Sequence, residues 1–168
     1  MKPLIKICGI ADEDNLIKLT KIEKINFLGF IFYEQSPRNA TGELINSISH
    51  IDFKNKRAVC VYVNADKEFI EETSSYFVNP ILQFHGDETN AFCKSFKKDF
   101  WKVIRVKDDE SMNFVNDYPD ASGILFENYE NGLYGGTGNS FDWNLMNNVK
   151  DLDIKIILSG GINIKNVD

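Results

Sequence analysis

The sequence predicts an α/β protein with a parallel β-sheet, and three observations support this prediction. Seven short apolar runs recur along the chain, segments with helical patterning lie between them, and most runs end in polar, glycine or cysteine residues. This alternation of strand and helix is typical of parallel α/β folds. The predicted strands are Leu4–Cys8, Phe27–Phe32, Ala58–Val63, Ile81–His85, Trp101–Val106, Gly123–Glu127 and Lys155–Ser159.

Amphipathic spacing predicts a helix after each of the first six strands. Acidic residues at 12–14 suit the first turn of the first helix, where the helix dipole favours them. Phe92, Phe96 and Phe100 recur every four residues and predict one helical face. Asn139 or Ser140 is expected to cap the sixth helix. The other apolar faces are Leu16, Ile17, Leu19 and Ile22; Leu44, Ile45, Ile48 and Ile51; Phe69, Ile70 and Phe77; Met112, Phe114 and Val115; and Phe141, Leu145, Met146 and Val149.

The pattern leaves two parallel architectures open, a doubly wound open sheet and a (β/α)8 barrel. The strands are apolar on consecutive residues, as expected when both faces of a sheet are covered. An open sheet has one dominant ligand crevice, whereas a barrel assembles its site from the carboxyl ends of all its strands. Because special residues end many of the strands, the barrel is favoured. The 168 residues suit a single domain over 1–168.

Composition disfavours several classes of function. The net charge of -6 and the pI of about 5.0 disfavour non-specific nucleic-acid binding, which needs clustered basic residues. Cys8, Cys60 and Cys93 lack metal-type spacing, which suggests reduced thiols in a cytoplasm. No apolar run approaches membrane length, and the first is too short for a signal-peptide core. We expect a cytoplasmic protein with no nucleic-acid or membrane partner.

Two strand ends carry candidates for proton transfer. Cys8, which is followed by Gly9, could accept a proton where a neighbouring cation or backbone amides favour its thiolate. The alternative is a small buried hydrophobe. Glu127 ends the sixth strand, and a glutamate is seldom buried unpaired. It could act as a general acid, or it could be solvated if the strand ends earlier.

Glycine-rich segments follow the last two strands. Residues 135–138 precede the predicted sixth helix, and a loop that opens onto a helix N-terminus presents amides to an anion. Gly160 and Gly161 follow the seventh strand, and in barrels the loops after strands seven and eight often bind phosphate. A flexible turn would have the same composition. Together the two segments favour a phosphate site.

Arg38 and His85 are candidates for ligand contacts. Arg38 follows the second strand and suits a carboxylate, although most loop arginines are only solvated. His85 ends the fourth strand and could contact a substrate or be a hydrogen-bonded structural residue. Two isolated histidines and dispersed carboxylates lack the spacing of a metal site, so none is predicted. The chain carries no Rossmann or Walker fingerprint.

Taken in order, six segments resemble the phosphoribosylanthranilate isomerase family. The resemblance runs from residue 4 to the end of the chain, and the six segments in one order are far more specific than any one of them. They are Lys6–Gly9; Gly29–Phe32 with Ser36–Arg38; Val61–Asn64; Gln83–Glu88; Gly135–Gly138 with Phe141–Trp143; and Ser159–Gly161.

The resemblance implies a (β/α)8 barrel, an Amadori rearrangement in tryptophan biosynthesis and no metal or redox cofactor. It implies that Cys8 is the general base and that Glu127 stands where the family has its acid. Arg38 is then expected near the anthranilate carboxylate, and His85 is a candidate substrate contact. The phosphate is expected against the amides of Gly136, Gly138, Gly160 and Gly161. The small-molecule substrate is a phosphorylated sugar-anthranilate, and the protein is expected to be a monomer or a homodimer.

The chain departs from the family pattern in two ways. The acid is a glutamate where the family has an aspartate, which places its carboxyl one methylene further from the backbone. The sequence ends within the predicted seventh helix, so an eighth strand-helix unit is expected beyond Asp168. The alternative function is a catalytically impaired phosphate-sugar-binding barrel fragment. The histidine-pathway sugar isomerase barrel is disfavoured, because that family uses an aspartate where Cys8 stands.

Overall fold

A computed structural model describes residues 2–132, 134–136 and 138–166. The chain divides into two compact units, Met1–Gln83 and Phe84–Asp168. All seven predicted strands are present, and each observed boundary lies within two residues of the predicted one. The prediction of a single domain over 1–168 stays a prediction.

Unit 1 carries the first strands and three helices, in regular alternation. β1 pairs with β2, and β2 with β3, all in parallel, and Cys8 lies opposite Gly29 in this register. Asp12 caps α1 by accepting a hydrogen bond from the amide of Asn15 at 2.8 Å. The elements are β1 (Ile5–Cys8), α1 (Glu13–Thr20), β2 (Ile25–Phe32), α2 (Gly42–Ile48), β3 (Arg57–Tyr62), α3 (Lys67–Ser75) and β4 (Ile81–Phe84), whose last residue falls in unit 2.

The core of unit 1 is built from the consecutive apolar residues of β2 and β3. Phe30 is fully buried and packs on Phe77 with ring centroids 4.8 Å apart. Phe32 stacks on Tyr62 at 5.5 Å. Ile31 lies between them and points to the opposite face of β2, and it is also buried, so both faces are covered as predicted for a parallel sheet. β1 is less buried, and Ile5 is 40% exposed.

The described part of unit 2 contains one short α-helix and two 3-10 helices. β5 pairs with β6, and β6 with β7, again in parallel. The apolar side chains of β5 and β6, among them Ile104, Ile124 and Phe126, form its core with residues of the two 3-10 helices. The elements are α4 (Asn90–Lys94), β5 (Phe100–Val106), a 3-10 helix (Asp109–Asp117), β6 (Gly123–Asn128), a second 3-10 helix (Trp143–Asn148) and β7 (Lys155–Leu158).

The phenylalanine stripe at 92, 96 and 100 does not lie on one helix. α4 ends at Lys94, Lys97 adopts a left-handed backbone with φ 53°, and Phe100 begins β5. The three rings share Phe84 as a neighbour, at centroid distances of 6.1, 5.7 and 6.0 Å. Packing on this one side chain, and not helical periodicity over the whole segment, therefore explains their apolar character.

One helix cap differs from its prediction, and the predicted seventh helix is described only at its start. The cap of the sixth helix is Asp142 and not Asn139 or Ser140, because the Asp142 carboxylate accepts from the amide of Asn144 at 3.0 Å. The seventh helix is represented by one turn, in which Asn166 N donates to Asn163 O. The side chain of Asn163 accepts from Lys165 N, as a helix cap does. Val167 and Asp168 lie outside the described residues.

Candidate functional site

The carboxyl end of β1 holds a cysteine beside a cation. Lys6 Nζ lies 3.2 Å from Cys8 Sγ and donates to Gln83 Oε1 at 2.7 Å. Lys6 and Cys8 share a face because side chains two residues apart in a strand point the same way. A Cβ at Gly29 would lie 2.9 Å from Cys8 Sγ, so glycine leaves room for the sulfur. Negative charge on the sulfur would therefore have an ammonium group beside it.

Arg38 lies across the backbone that follows β1. Its Nη1 donates to the carbonyl oxygen of Cys8 at 3.3 Å. Gly9 has a φ of 85°, and a Cβ there would lie 2.7 Å from Arg38 Cδ. Glycine at position 9 thus supplies both the backbone conformation and the space for the arginine. The exposed guanidinium is held beside the cysteine and can still meet an anion.

The three cysteines differ in accessibility, which predicts selective labelling. Cys8 is half-buried, whereas Cys60 and Cys93 are fully buried. Burial raises the pKa of the Cys93 thiol to about 12. We expect an aromatic disulfide reagent at neutral pH to modify one thiol in the native chain and three after unfolding. Cys8→Ala should leave no fast-reacting native thiol, and rapid modification of a second native thiol would contradict this assignment.

The strand ends of unit 2 bring a histidine and a carboxylate together. His85 Nε2 lies 2.6 Å from Glu127 Oε2, and the two side chains are 11% and 10% exposed. The sequence alternative of a solvated Glu127 is therefore wrong, because β6 continues to Asn128 and the residue is buried. Gly135, with φ 84°, lies against both groups: a Cβ there would be 2.9 Å from Glu127 Oε2.

A second cluster of unit 2 lies beside the His85 segment. Asp87 accepts from Arg105 Nη2 at 2.8 Å and from the hydroxyl of Tyr134 at 2.6 Å. The Arg105 guanidinium carbon lies 4.4 Å from the Tyr134 ring centroid, which suits a cation–π contact. These contacts fix the segment that carries Gly135. A cavity of about 550 Å³ borders Asp87 and Arg105, but neither His85 nor Glu127 lines it.

Within unit 2, the second glycine segment lies against Asn139 and Ser140, which directly follow the first. All four predicted glycines have left-handed backbones, with φ values of 77°, 73°, 83° and 66° for Gly136, Gly138, Gly160 and Gly161. A Cβ at Gly160 would lie 3.1 Å from Asn139 O, and one at Gly161 would lie 2.6 Å from Ser140 N. Side chains are therefore excluded at Gly160 and Gly161, while Gly136 and Gly138 are exposed. Thr137 lies outside the described residues.

The helix expected to open from the glycine loop contributes less than predicted. It is a six-residue 3-10 helix that begins at Trp143, and the amide of Asn144 already donates a hydrogen bond to the Asp142 carboxylate. Any anion held here would thus depend on loop amides and not on a free helix N-terminus. Within the described residues, no group of three or more His, Cys, Asp or Glu side chains could hold a metal ion. No helix in that same part of the chain is long and apolar enough to span a membrane.

The sequence predicts Cys8, Arg38, His85 and Glu127 as site residues, but it does not predict the side chains that contact them. Lys6 could have been found, because its place two residues before Cys8 puts both on one face of a strand. The His85–Glu127 contact joins residues 42 apart and leaves no local signal. The same holds for Tyr134, whose partner Asp87 is 47 residues away.

The chain is similar to one family of known proteins over almost its whole length. The family model of N-(5'-phosphoribosyl)anthranilate isomerase matches residues 5–168. The isomerase of that name from Nitrosomonas europaea is 37% identical over 168 residues, which cover 99% of this chain and 78% of that protein. The corresponding protein of Pseudomonas fluorescens is 36% identical over 163 residues, with 96% of this chain and 78% of that protein covered.

A solved structure of the same family has a similar fold. Phosphoribosyl anthranilate isomerase from Thermotoga maritima superposes with a TM-score of 0.83 at 29% identity, covering 99% of this chain and 80% of that one. The predicted fold class is confirmed, since this chain carries seven strands of a (β/α)8 barrel fold. The chain belongs to the N-(5'-phosphoribosyl)anthranilate isomerase family.

Proposed function

We propose that this chain isomerises N-(5'-phosphoribosyl)anthranilate to 1-(2-carboxyphenylamino)-1-deoxyribulose 5-phosphate, a step of tryptophan biosynthesis. The observation that carries the proposal is the family match over residues 5–168. The strand ends add the two kinds of group that the reaction needs. Unit 1 supplies a cysteine beside a cation, and unit 2 supplies a buried carboxyl that is hydrogen-bonded to a histidine.

The reaction is a sequence of proton transfers that side chains can perform. Glu127 protonates the furanose ring oxygen, and the ring opens to an iminium ion. Cys8 then removes the proton from C2 of the sugar, which gives an enolamine. The enolamine becomes the ketone when its oxygen loses a proton and C1 gains one. Each step needs an acid or a base within hydrogen-bond reach, and such groups contribute about 100- to 10,000-fold in rate.

The remaining candidates bind the substrate. Arg38, held over Gly9, pairs with the aryl carboxylate, for which its planar fork is suited. The amides of Gly136, Gly138, Gly160 and Gly161 receive the phosphate, because Gly160 and Gly161 lie against Asn139 and Ser140, the residues that directly follow the first glycine segment. A solved structure from the family is described in complex with reduced 1-(o-carboxyphenylamino)-1-deoxyribulose 5-phosphate, which has both anionic groups.

Replacing Arg38 by alanine should raise KM more than it lowers kcat. A charge-assisted hydrogen bond contributes about 1.5–3 kcal/mol, so we expect KM to rise at least about tenfold. Arg38→Lys is the matched control, because it keeps the charge and loses the fork, and its KM should fall between the two. Steady-state kinetics measure both constants. An unchanged KM in Arg38→Ala would remove the carboxylate assignment.

Growth of a bacterial strain that lacks this isomerase tests the proposed function. Expression of the chain should restore growth without tryptophan, and expression of Cys8→Ala should not. No growth, with the chain present as soluble protein, would overturn the proposal. If the reduced product analogue still raised the melting temperature of the purified chain, the impaired phosphate-sugar-binding alternative would be favoured. The cytoplasmic location and the monomeric or homodimeric state stay predictions.

A further inference from the structure

The contact between His85 and Glu127 requires a proton between them. At 2.6 Å, a deprotonated Nε2 and a carboxylate oxygen would face each other as two acceptors. An imidazolium facing the hydroxyl of a carboxylic acid would instead oppose two donors. One proton on the line that joins the two atoms avoids both conflicts. Three states place a proton there: a carboxylic acid with a neutral imidazole, a carboxylate with an imidazolium, and a carboxylate with a neutral imidazole that is protonated at Nε2. Only the first two hold the additional proton that a general acid gives up.

Burial makes this proton count important. The side chains are 11% and 10% exposed, so water screens little of any unbalanced charge on them. The backbone of Gly135 lies close to the pair. A Cβ at this position would be 3.0 Å from His85 Cε1 and 2.9 Å from Glu127 Oε2. The segment that Tyr134 ties to Asp87 thus covers the shared proton.

The backbone around His85 is held by a buried cation. Lys102, whose side chain is 3% exposed, donates to the carbonyl of Gly86 at 2.6 Å and of Phe84 at 3.4 Å, on either side of His85. It also pairs with Glu88 at 3.0 Å, and this partner is equally buried. These bonds restrict where the imidazole can move. His85 therefore stands on a held backbone, and the longer side chain of Glu127 can be oriented by its imidazole.

We propose that His85 is the positioning residue for Glu127 and that the two side chains hold one proton, which becomes the proton of the general acid. The inference rests on the proposed function. The proton moves from the pair to the ring oxygen as the ring carbon–oxygen bond breaks, which leaves a carboxylate and a neutral imidazole. One proton returns to the pair as the enol oxygen of the intermediate loses its hydrogen, directly or through water, so the count closes.

This arrangement explains how a glutamate can serve where the family has an aspartate. The extra methylene extends the carboxyl by about 1.5 Å, a typical carbon–carbon bond length. A flexible acid displaced by about 1 Å can cost about 100-fold in rate. A short hydrogen bond to a buried imidazole, whose neighbouring backbone carbonyls are bound by Lys102, restricts that freedom. Glu127→Asp would withdraw the carboxyl from His85 and end the dependence of the acid on the histidine.

Nitrogen NMR of isotope-labelled protein tests the pair without any turnover. The chain has two histidines, and the exposed His50 is an internal reference. We expect Glu127→Gln to move the side-chain Nε2 resonance of His85 by several ppm and to leave that of His50 in place. An unmoved His85 resonance would overturn the proposal. Because no substrate is present, the result does not depend on whether the proposed function is correct.

A double-mutant cycle tests the role in the reaction. His85→Gln should lower kcat about 10- to 100-fold in the unaltered chain, as for a misplaced catalytic group. In the Glu127→Asp background, His85→Gln should change kcat by no more than about twofold, which is the variation expected for independent sites. His50→Gln is the matched control and should leave kcat unchanged. Equal losses in both backgrounds would overturn the proposal, whereas an inactive unaltered chain would overturn the proposed function instead.

Discussion

Cys8→Ala should lower kcat at least about 100-fold, the scale expected when a general base is removed. The sulfur is the group at the carboxyl end of β1 that can take the sugar C2 proton, and Lys6 Nζ lies 3.2 Å from it. Alanine leaves the backbone and its pairing to Gly29 intact. The loss should therefore appear in kcat and not in the folding of the chain. Steady-state kinetics with circular dichroism separates the two.

Cys93→Ala is the matched control for this variant. Cys93 is fully buried in α4, and its thiol has a pKa raised by burial, so it is not a candidate base. We expect an unchanged kcat. Lys6→Met should also lower kcat, because negative charge on Cys8 Sγ would lose its neighbouring cation. A Cys8→Ala variant that keeps the full rate would exclude the cysteine as the base.

Glu127→Gln should also lower kcat at least about 100-fold, because an amide has the shape of the carboxyl but cannot deliver its proton. The glutamine can still meet His85 Nε2, so the geometry of the contact is kept. Glu127→Asp is the sharper comparison. It introduces the aspartate that the resemblance implies for this position, and we expect it to retain or raise the activity.

An unchanged rate in Glu127→Gln would place the acid elsewhere. Asp87 and Asp142 would be the next candidates, and both already have partners in the structure. Asp87 accepts from Arg105 and Tyr134, while Asp142 caps the second 3-10 helix. A carboxylate that accepts from an arginine favours its charged form, which does not suit an acid. The structure therefore favours Glu127 over either of these residues.

The strands could be predicted because each carries its own signal. A buried parallel strand has a short apolar run, and a polar residue, glycine or cysteine stands at or near its end, as at Cys8 and Glu127. The lengths of the helices were harder to predict from the sequence than the strands were. The stripe of Phe92, Phe96 and Phe100 follows helical spacing, yet a left-handed Lys97 ends the helical segment and tertiary packing on Phe84 accounts for all three rings.

The candidate site was predictable in its residue types but not in its contacts. Cys8, Arg38, His85 and Glu127 stand at or just after strand ends, where parallel folds place their chemistry. The hydrogen bond of His85 to Glu127, and that of Tyr134 to Asp87, join residues far apart in sequence. No local pattern encodes such pairs, because they form when the sheet brings separate strand ends together. Their roles stay predictions until the variants are measured.

The fluorescence of N-(5'-phosphoribosyl)anthranilate, followed over time with the purified chain, tests the central claim most directly. The account predicts an enzyme-dependent decay that is proportional to protein concentration. That decay should persist in Cys93→Ala and fall at least about 100-fold in Cys8→Ala and in Glu127→Gln. A folded chain that gives no decay above the uncatalysed background, or an equal decay in all four proteins, would contradict it.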